Sequence, residues 1–374
     1  MNSDILIIGA GVIGLSIARE LHKKAVGKII VVDRGTAGHG ASWAAAGMLA
    51  PQSECDRIDD FYRLCTGSRD MYLDFANELV EETGVDIELD RGGTMYLAFT
   101  DHDVAGIRAR CEWQRSAGLE IESLSAVECR TLEPAIAEDV REGLFLSNDW
   151  QVENRKLIAA LIEFTRRNDI AIIENTRINS LLTNGDARSD DGGTFSAGQV
   201  IVATGAWTSL IKIGEAPLSV EVKPIRGQMI CFKQSERQFK KVICSPRGYI
   251  VPRADGRVLA GATVEDVGFE SVNTDEGIRT LRKHAAEISP ILTKMRIADR
   301  WAGLRPYAAD GSPVLGRLLH AQNLFVATAH YRNGILLAPV TAKIMADAIV
   351  DNRHSEFLQT FGPQRFRVTQ TGPN

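Results

Sequence analysis

An unbroken apolar run, Ile5-Leu6-Ile7-Ile8, stands near the amino end of the chain and passes directly into Gly9-Ala10-Gly11-Val12-Ile13-Gly14. A short run of this kind bounded by glycine fits a strand buried on both faces. Beyond it, Val12, Ile13, Leu15, Ile17, Ala18 and Leu21 recur at helical spacing, and a second run, Ile29-Ile30-Val31-Val32, ends in Asp33. The pattern predicts a strand, a helix and a second, parallel strand.

The next stretch, 35–48, is small and nearly uncharged, and such backbone can pack flat against a planar ligand. Apolar spacing then predicts a helix over 61–83 and a strand-like segment over 86–99, with 94–99 its clearest part. Residues 101–140 read as helices, 153–168 as a helix and 170–173 as a strand. A hairpin region follows, with turn signals at Asn184-Gly185 and at 190–193. The apolar run 199–202 ends on the small turn Thr204-Gly205-Ala206-Trp207 and is expected to rejoin the first sheet. Strands dominate 220–262, notably 227–232, 249–252 and 258–262, and 275–289 is helical. The chain closes with a strand over 324–328, a loop over 330–334 and a helix over 336–349.

These elements predict an α/β protein: a discontinuous Rossmann-like nucleotide-binding domain with an inserted, mainly antiparallel β-rich substrate domain. The first takes 1–85, 145–219 and 300–360, the second 86–144 and 220–299, and 361–374 is a tail. Substrate is expected between them.

A length of 374 residues agrees with about two domains, and 44% hydrophobic with 24% charged residues is a soluble globular composition. The net charge of −5, with no local cluster of lysine and arginine, argues against nucleic acid or an anionic membrane as a partner. Cys55, Cys65, Cys111, Cys129, Cys231 and Cys244 show no metal-ligand spacing and read as reduced, mostly buried thiols. The first strand leaves no room for an export signal, and no run is long enough to span a bilayer, so a cytoplasmic protein is expected.

The glycine turn carries the first chemistry. Gly9 permits the tight turn, Gly11 lets backbone approach a pyrophosphate, and Gly14 lets the helix lie against the sheet. Asp33 is placed to bind a ribose. One such turn leaves room for one dinucleotide, either resident FAD or NAD as a co-substrate. The segment Tyr331-Arg332-Asn333-Gly334-Ile335 favours FAD, because it opens a helix whose positive end suits an anion such as reduced flavin.

Several motifs now converge. The GAGVIG turn, the stretch from Ser42 to Leu49, Tyr249-Ile250-Val251-Pro252-Arg253, Gly261-Ala262-Thr263, the segment from Trp301 to Pro306, and the segment from His330 to Leu337 together resemble the D-amino-acid oxidase superfamily. Within it they are most similar to the glycine oxidases of thiamine biosynthesis, over nearly the whole chain. The resemblance implies that Val12 and Ile13, with Gly9, Gly11 and Gly14, hold a pyrophosphate, and that Asp33 and Arg34 hold the adenosine. It places Ala41, Ser42, Ala46, Gly47 and Met48 at the phosphates and isoalloxazine, Ile178 at the adenine, and Gly205 among the cofactor contacts. His330, Tyr331, Arg332, Asn333, Gly334, Ile335 and Leu336 are implied to line the flavin's pyrimidine edge. Arg305 and Tyr249 are implied to bind the substrate carboxylate, with Arg332 nearby.

An amino acid offers a carboxylate, an amine and a Cα–H bond. Arg305 suits the first as a planar bidentate donor, and Tyr249 adds a phenolic hydrogen bond. Apart from the resemblance, Arg305 fits a surface salt bridge equally well, Tyr249 a core position, and Arg332 a pair with a local carboxylate. The expected reaction is hydride transfer from Cα to flavin N5, with dioxygen then reoxidising the flavin and releasing hydrogen peroxide. No evident side-chain base stands in the motifs. The imine hydrolyses to glyoxylate and ammonia or passes to thiazole synthesis, so a thiazole synthase is an expected partner, and the likeness implies a homotetramer.

Two positions depart from the glycine oxidase pattern. Arg247 stands where a histidine is common, and Val264 where a methionine is expected, so both are pocket-shaping positions, with Val264 widening the pocket toward sarcosine or D-alanine. Residues 301–317 hold no cysteine, and FAD is therefore expected to be non-covalent. The readings that remain open are a D-amino-acid dehydrogenase or sarcosine-type oxidase of the same superfamily, and an inactive flavoprotein scaffold.

Overall fold

The computed structural model describes residues 1–182, 186–318, 321, 323–353 and 355–366, so the Asn184-Gly185 turn and most of the expected tail lie outside the described residues. Five parallel strands form the centre of the first sheet, in the order Ala171–Ile173, Ile29–Val32, Asn2–Ile8, Thr194–Val202 and Leu324–Thr328. The runs at 5–8, 29–32, 200–202 and 324–328 are continuous because both faces are covered there. On one face Ile5, Ile7, Val31, Ile201 and Phe325 meet the helices Val12–Lys23, Asp60–Thr83, Asn154–Arg167 and Ala338–Val350. On the other, Leu6, Ile8, Val32 and Val202 pack against Ile178 and Leu181 of the strand Ile178–Leu181.

Register makes this sheet a platform. Ile8 stands opposite both Val32 and Val202, and Val32 opposite Ile173, so four strands end at one level. Gly9, Asp33 and Ala203 therefore emerge side by side at the carboxyl edge, where open α/β sheets bind ligands. Gly9 has φ +113°, and a Cβ on Gly14 would overlap the Gly9 carbonyl oxygen, so both positions exclude a side chain.

The second sheet has eight strands, in the order Ile297–Tyr307, Lys223–Lys233, Arg257–Gly261, Gly248–Pro252, Val242–Ser245, Thr94–Ala98, Glu142–Leu146 and Glu122–Ser125. All neighbours are antiparallel except Val242–Ser245 with Thr94–Ala98. One face packs Ile230, Phe232, Ile250 and Ala260 under Leu281, Ala285 and Ile288 of the helix Asp275–Ile288. The other face presents Met229, Cys244, Val251 and Trp301 to Trp43, Ala44, Ala46 and Met48. The small-residue stretch after Asp33 is thus the layer between the sheets.

Three differences from the sequence pattern have physical causes. Within 101–140 the strand Glu122–Ser125 separates two helices; only Leu124 of it is buried, so it has no alternation to read. The segment with the Trp301 to Pro306 motif is the strand Ile297–Tyr307, whose Gly303 and Pro306 are tolerated because it is an edge. It pairs with Lys223–Lys233 along its length, so the chain returns to the first sheet after Tyr307 and not at 300. The last helix begins at Ala338, not 336, because Pro339 lacks an N–H and fits only the first turn.

Candidate active site

Two cavities lie end to end along the edge of the first sheet, sharing Ala41, Ala203 and Gly205 as common wall. The inner one, about 260 Å³, is bounded by Gly9, Gly11, Asp33, Arg34, Ile178 and Trp207. Each Asp33 oxygen accepts a backbone N–H, Oδ2 from Ala10 at 2.7 Å and Oδ1 from Gly35 at 2.9 Å. These bonds aim the carboxylate, while burial pushes its pKa up. The Arg34 guanidinium lies 4.5 Å over the Trp207 ring, a pairing that spacing along the chain does not reveal.

The helix Val12–Lys23 starts with no capping side chain on Gly11 and no acidic residue in its first turn. Ser42 Oγ accepts the Val12 N–H at 3.0 Å, which ties the small-residue stretch to this helix end. Val12 is thus engaged by Ser42, and Ile13 lines the outer cavity.

The outer cavity, about 490 Å³, is walled by Ser42, Ala46, Gly47, Met48, Tyr249, Val264, Arg305, Arg332 and the 330–335 loop. Asn333 and Leu336 are buried behind this wall and not part of it; Asn333 closes the turn, its carbonyl accepting the Leu337 N–H at 2.8 Å. The carbonyl of Ile335 accepts the Tyr72 hydroxyl, and that of Leu336 accepts the Ser68 hydroxyl at 2.6 Å. Arg253, missed from the sequence, is buried and holds the layer between the sheets. Its guanidinium donates to the carbonyls of Ala46 at 2.9 Å and Val152 at 2.7 Å.

At the far end, Arg305 Nη1 donates to the Thr263 carbonyl at 3.0 Å, and no carboxylate among the described residues forms an ion pair with it. A Cβ on Gly227 would overlap its guanidinium, so the glycine makes room for it. The Tyr249 hydroxyl lies 3.4 Å from Met229 Sδ, and burial raises its pKa, which keeps the phenol protonated. Arg332 is different: its Nη2 is paired with Glu54 Oε1 at 2.8 Å, and the Glu54 charge raises its pKa. Glu54 sits on the short helix Pro51–Glu54, whose Gln52 and Ser53 amides are held by the buried Asp149 at 2.9 and 2.8 Å.

Arg247 lines the cavity but spends its guanidinium on Glu287 at 2.6 Å and Asp103 at 3.2 Å. Val264 is 61% exposed at the cavity mouth. His330 is buried, its Nε2 within 3.0 Å of Thr341 Oγ1, and burial lowers its pKa to about 3, so the ring is neutral.

The inner cavity, the helix start without an acidic residue and the oriented Asp33 fit the adenosine and pyrophosphate of a dinucleotide, and the outer cavity continues from them toward Arg305. Comparison with known proteins agrees. The FAD dependent oxidoreductase family model matches residues 4–348. A glycine oxidase of Geobacillus kaustophilus is 33% identical over 95% of this chain and 94% of its own length. A bifunctional ThiO/ThiG protein of Synechocystis is 35% identical over 99% of this chain, which spans 55% of that relative. The crystal structure of the Geobacillus kaustophilus glycine oxidase superposes with a TM-score of 0.92 at 32% identity, covering 97% of this chain and 99% of that one. A continuous dinucleotide-shaped cleft on such a sheet, with these likenesses over its whole length, places the chain in the FAD-dependent oxidoreductase family.

Proposed function

We propose that this FAD-dependent oxidoreductase oxidises glycine, and with it small amines such as sarcosine or D-alanine, to the corresponding imine. The observation that carries the reading is Arg305, a guanidinium free of any acidic partner among the described residues, facing a cavity continuous with the dinucleotide cleft. The named glycine oxidases among its relatives support it.

Gly9, Gly11 and Gly14 with the start of helix Val12–Lys23 would hold the pyrophosphate, Asp33, Arg34 and Ile178 the adenosine, and Ala46, Gly47, Met48 and the 330–335 loop the flavin. What FAD supplies when bound is acceptance of two electrons from the Cα–H bond. Arg305 presents two parallel N–H groups to the substrate carboxylate, and the Tyr249 phenol donates a further hydrogen bond. Both fix the Cα in one orientation, which is where the protein's contribution to rate resides. Arg332 is neutralised by Glu54, leaving one uncompensated positive charge for one carboxylate. The carboxylates and the histidine of the wall are spoken for: Glu54 by Arg332, Asp56 by Arg110, and neutral His330 by Thr341. The substrate amine therefore has to arrive already neutral. Cys244, the cysteine of this wall, has its thiol pushed up to about 12 by burial, which favours a non-covalent flavin.

The same reading gives the electrons to dioxygen with release of hydrogen peroxide, and sends the imine toward the thiazole of thiamine. The fused ThiO/ThiG relatives support that destination, with a thiazole synthase as partner. A homotetramer is part of the proposal. Peroxide formation from glycine, sarcosine, D-alanine and D-proline by the purified holoenzyme tests it. Peroxide from glycine supports the reading; flavin reduction by these amines without peroxide makes the protein a dehydrogenase, and no reduction by any of them ends the amine reading.

A further inference from the structure

Three consecutive residues of the strand Lys223–Lys233 converge on Arg305. The Arg226 carbonyl lies 3.5 Å from Arg305 Nη1, Gly227 leaves the guanidinium its space, and Gln228 governs the backbone that supplies the nearer carbonyl, Thr263. Gln228 is fully buried, and every polar atom of it is bonded. Its backbone N–H donates to Thr263 Oγ1 at 2.9 Å, and its carbonyl faces the Thr263 N–H at 3.4 Å. Its side-chain Nε2 donates to Glu265 Oε1 at 2.7 Å and to Thr274 Oγ1 at 3.0 Å, while Oε1 accepts the Thr274 N–H at 2.8 Å. Gln228 thus grips the segment that leaves the sheet at Thr263 and enters the helix Asp275–Ile288 at its cap, Thr274: its backbone holds Thr263, and its side-chain amide holds Glu265 and Thr274. Glu265 is held from the other side by Arg226, Nε to Oε2 at 2.6 Å. Gly277 closes the enclosure, since a Cβ there would overlap the Gln228 amide.

We propose that Gln228 is a positioning residue for substrate binding: by clamping Thr263 and Thr274 it sets the carbonyl that orients Arg305 toward the carboxylate. The arrangement has a direction. Among the described residues Arg305 makes no ion pair that would hold it independently, so its guanidinium takes its geometry from the Thr263 and Arg226 carbonyls, both facing Nη1. Replacing the amide by a carboxylate of the same shape removes both Nε2 donors and sets a like charge against Glu265, which displaces the segment that the amide holds at Glu265 and Thr274 and, with it, the adjoining Thr263 carbonyl. A guanidinium shifted by an ångström loses bidentate contact at a cost of about ten- to a hundredfold.

This inference rests on the reading of Arg305 as the carboxylate site, and the test separates the two. The Kd of glycolate, a glycine isostere without the amine, is measured by calorimetry on FAD-loaded wild type, Gln228→Glu, Glu265→Ala and Arg305→Lys, alongside KM and kcat for glycine. Expected are far-UV circular dichroism and flavin content as in wild type, a glycolate Kd raised about tenfold or more in Gln228→Glu and Glu265→Ala, and a matching rise in KM with a smaller change in kcat. If Arg305→Lys weakens glycolate but folded Gln228→Glu does not, the positioning role is overturned. If Arg305→Lys leaves glycolate binding unchanged, the carboxylate reading itself falls. Should Gln228→Glu fail to fold, Glu265→Ala, altered at a partly exposed position, decides by the same two outcomes.

Discussion

Glu54 and Arg332 pair in the wall of the outer cavity, Oε1 to Nη2 at 2.8 Å, and on the proposed reading this pair sets how many positive charges a substrate meets. On that reading, the cavity without this pair would hold two guanidiniums suited to two carboxylates; with it, Arg305 is left as the proposed anion site.

Removing the Glu54 charge should therefore change preference more than it changes stability. In Glu54→Gln, kcat/KM for an amine carrying two carboxylates, such as iminodiacetate, is expected to rise roughly fivefold relative to glycine, a size set by the partial exposure of Arg332. Steady-state kinetics on both substrates check this, and an unchanged ratio would show that Arg332 takes no part in reading charge.

Arg305 carries the heavier load. Arg305→Ala should lower kcat/KM for glycine by at least about thirtyfold, corresponding to roughly 2 kcal/mol or more for one partner of a desolvated charged pair. Flavin content measured on the same preparation separates loss of substrate binding from loss of cofactor.

Val264 shapes the mouth of the same cavity. Val264→Met adds length there and is expected to depress kcat/KM for sarcosine and D-alanine severalfold while sparing glycine, since one added methylene-scale group is worth about 1–3 kcal/mol against a tight substrate. Equal effects on all three substrates would remove Val264 from the specificity argument.

Asp149, which holds the amides of the Glu54 helix, gives a pH signature. Burial pushes its carboxyl up to about 6, against an ordinary value of about 3.9 when unfolded. Across that window the folded state binds more protons, so stability falls as pH rises through it. Urea unfolding between pH 4 and 7 should show wild type losing up to roughly 3 kcal/mol relative to Asp149→Asn over this range. Parallel pH profiles would mean that the carboxyl is charged throughout.

What could be seen in the sequence was what depends on neighbours along the chain. The turn from Gly9 to Gly14 is legible because backbone sterics demand glycine there, and the strand Leu324–Thr328 because burial on both faces leaves an unbroken apolar run. The residues that went unseen act over long separations. Arg253 reaches the Ala46 carbonyl across 207 positions, Asp149 caps Gln52 across 97, and Glu54 meets Arg332 across 278. Each is an ordinary charged residue in its local context, and its role exists only once the second sheet is laid against the first. The motif around Trp301 to Pro306 was visible as a motif yet not as a strand, because an edge position excuses the glycine and proline that mask it.

Anaerobic mixing of the purified holoenzyme with glycine, followed by flavin absorbance, tests the central claim most directly. Glycine is expected to bleach the flavin in wild type, far more slowly in Arg305→Ala, and admitting air to restore the colour with peroxide formed in equal amount. A flavin that stays oxidised with glycine, sarcosine and D-alanine alike would contradict it.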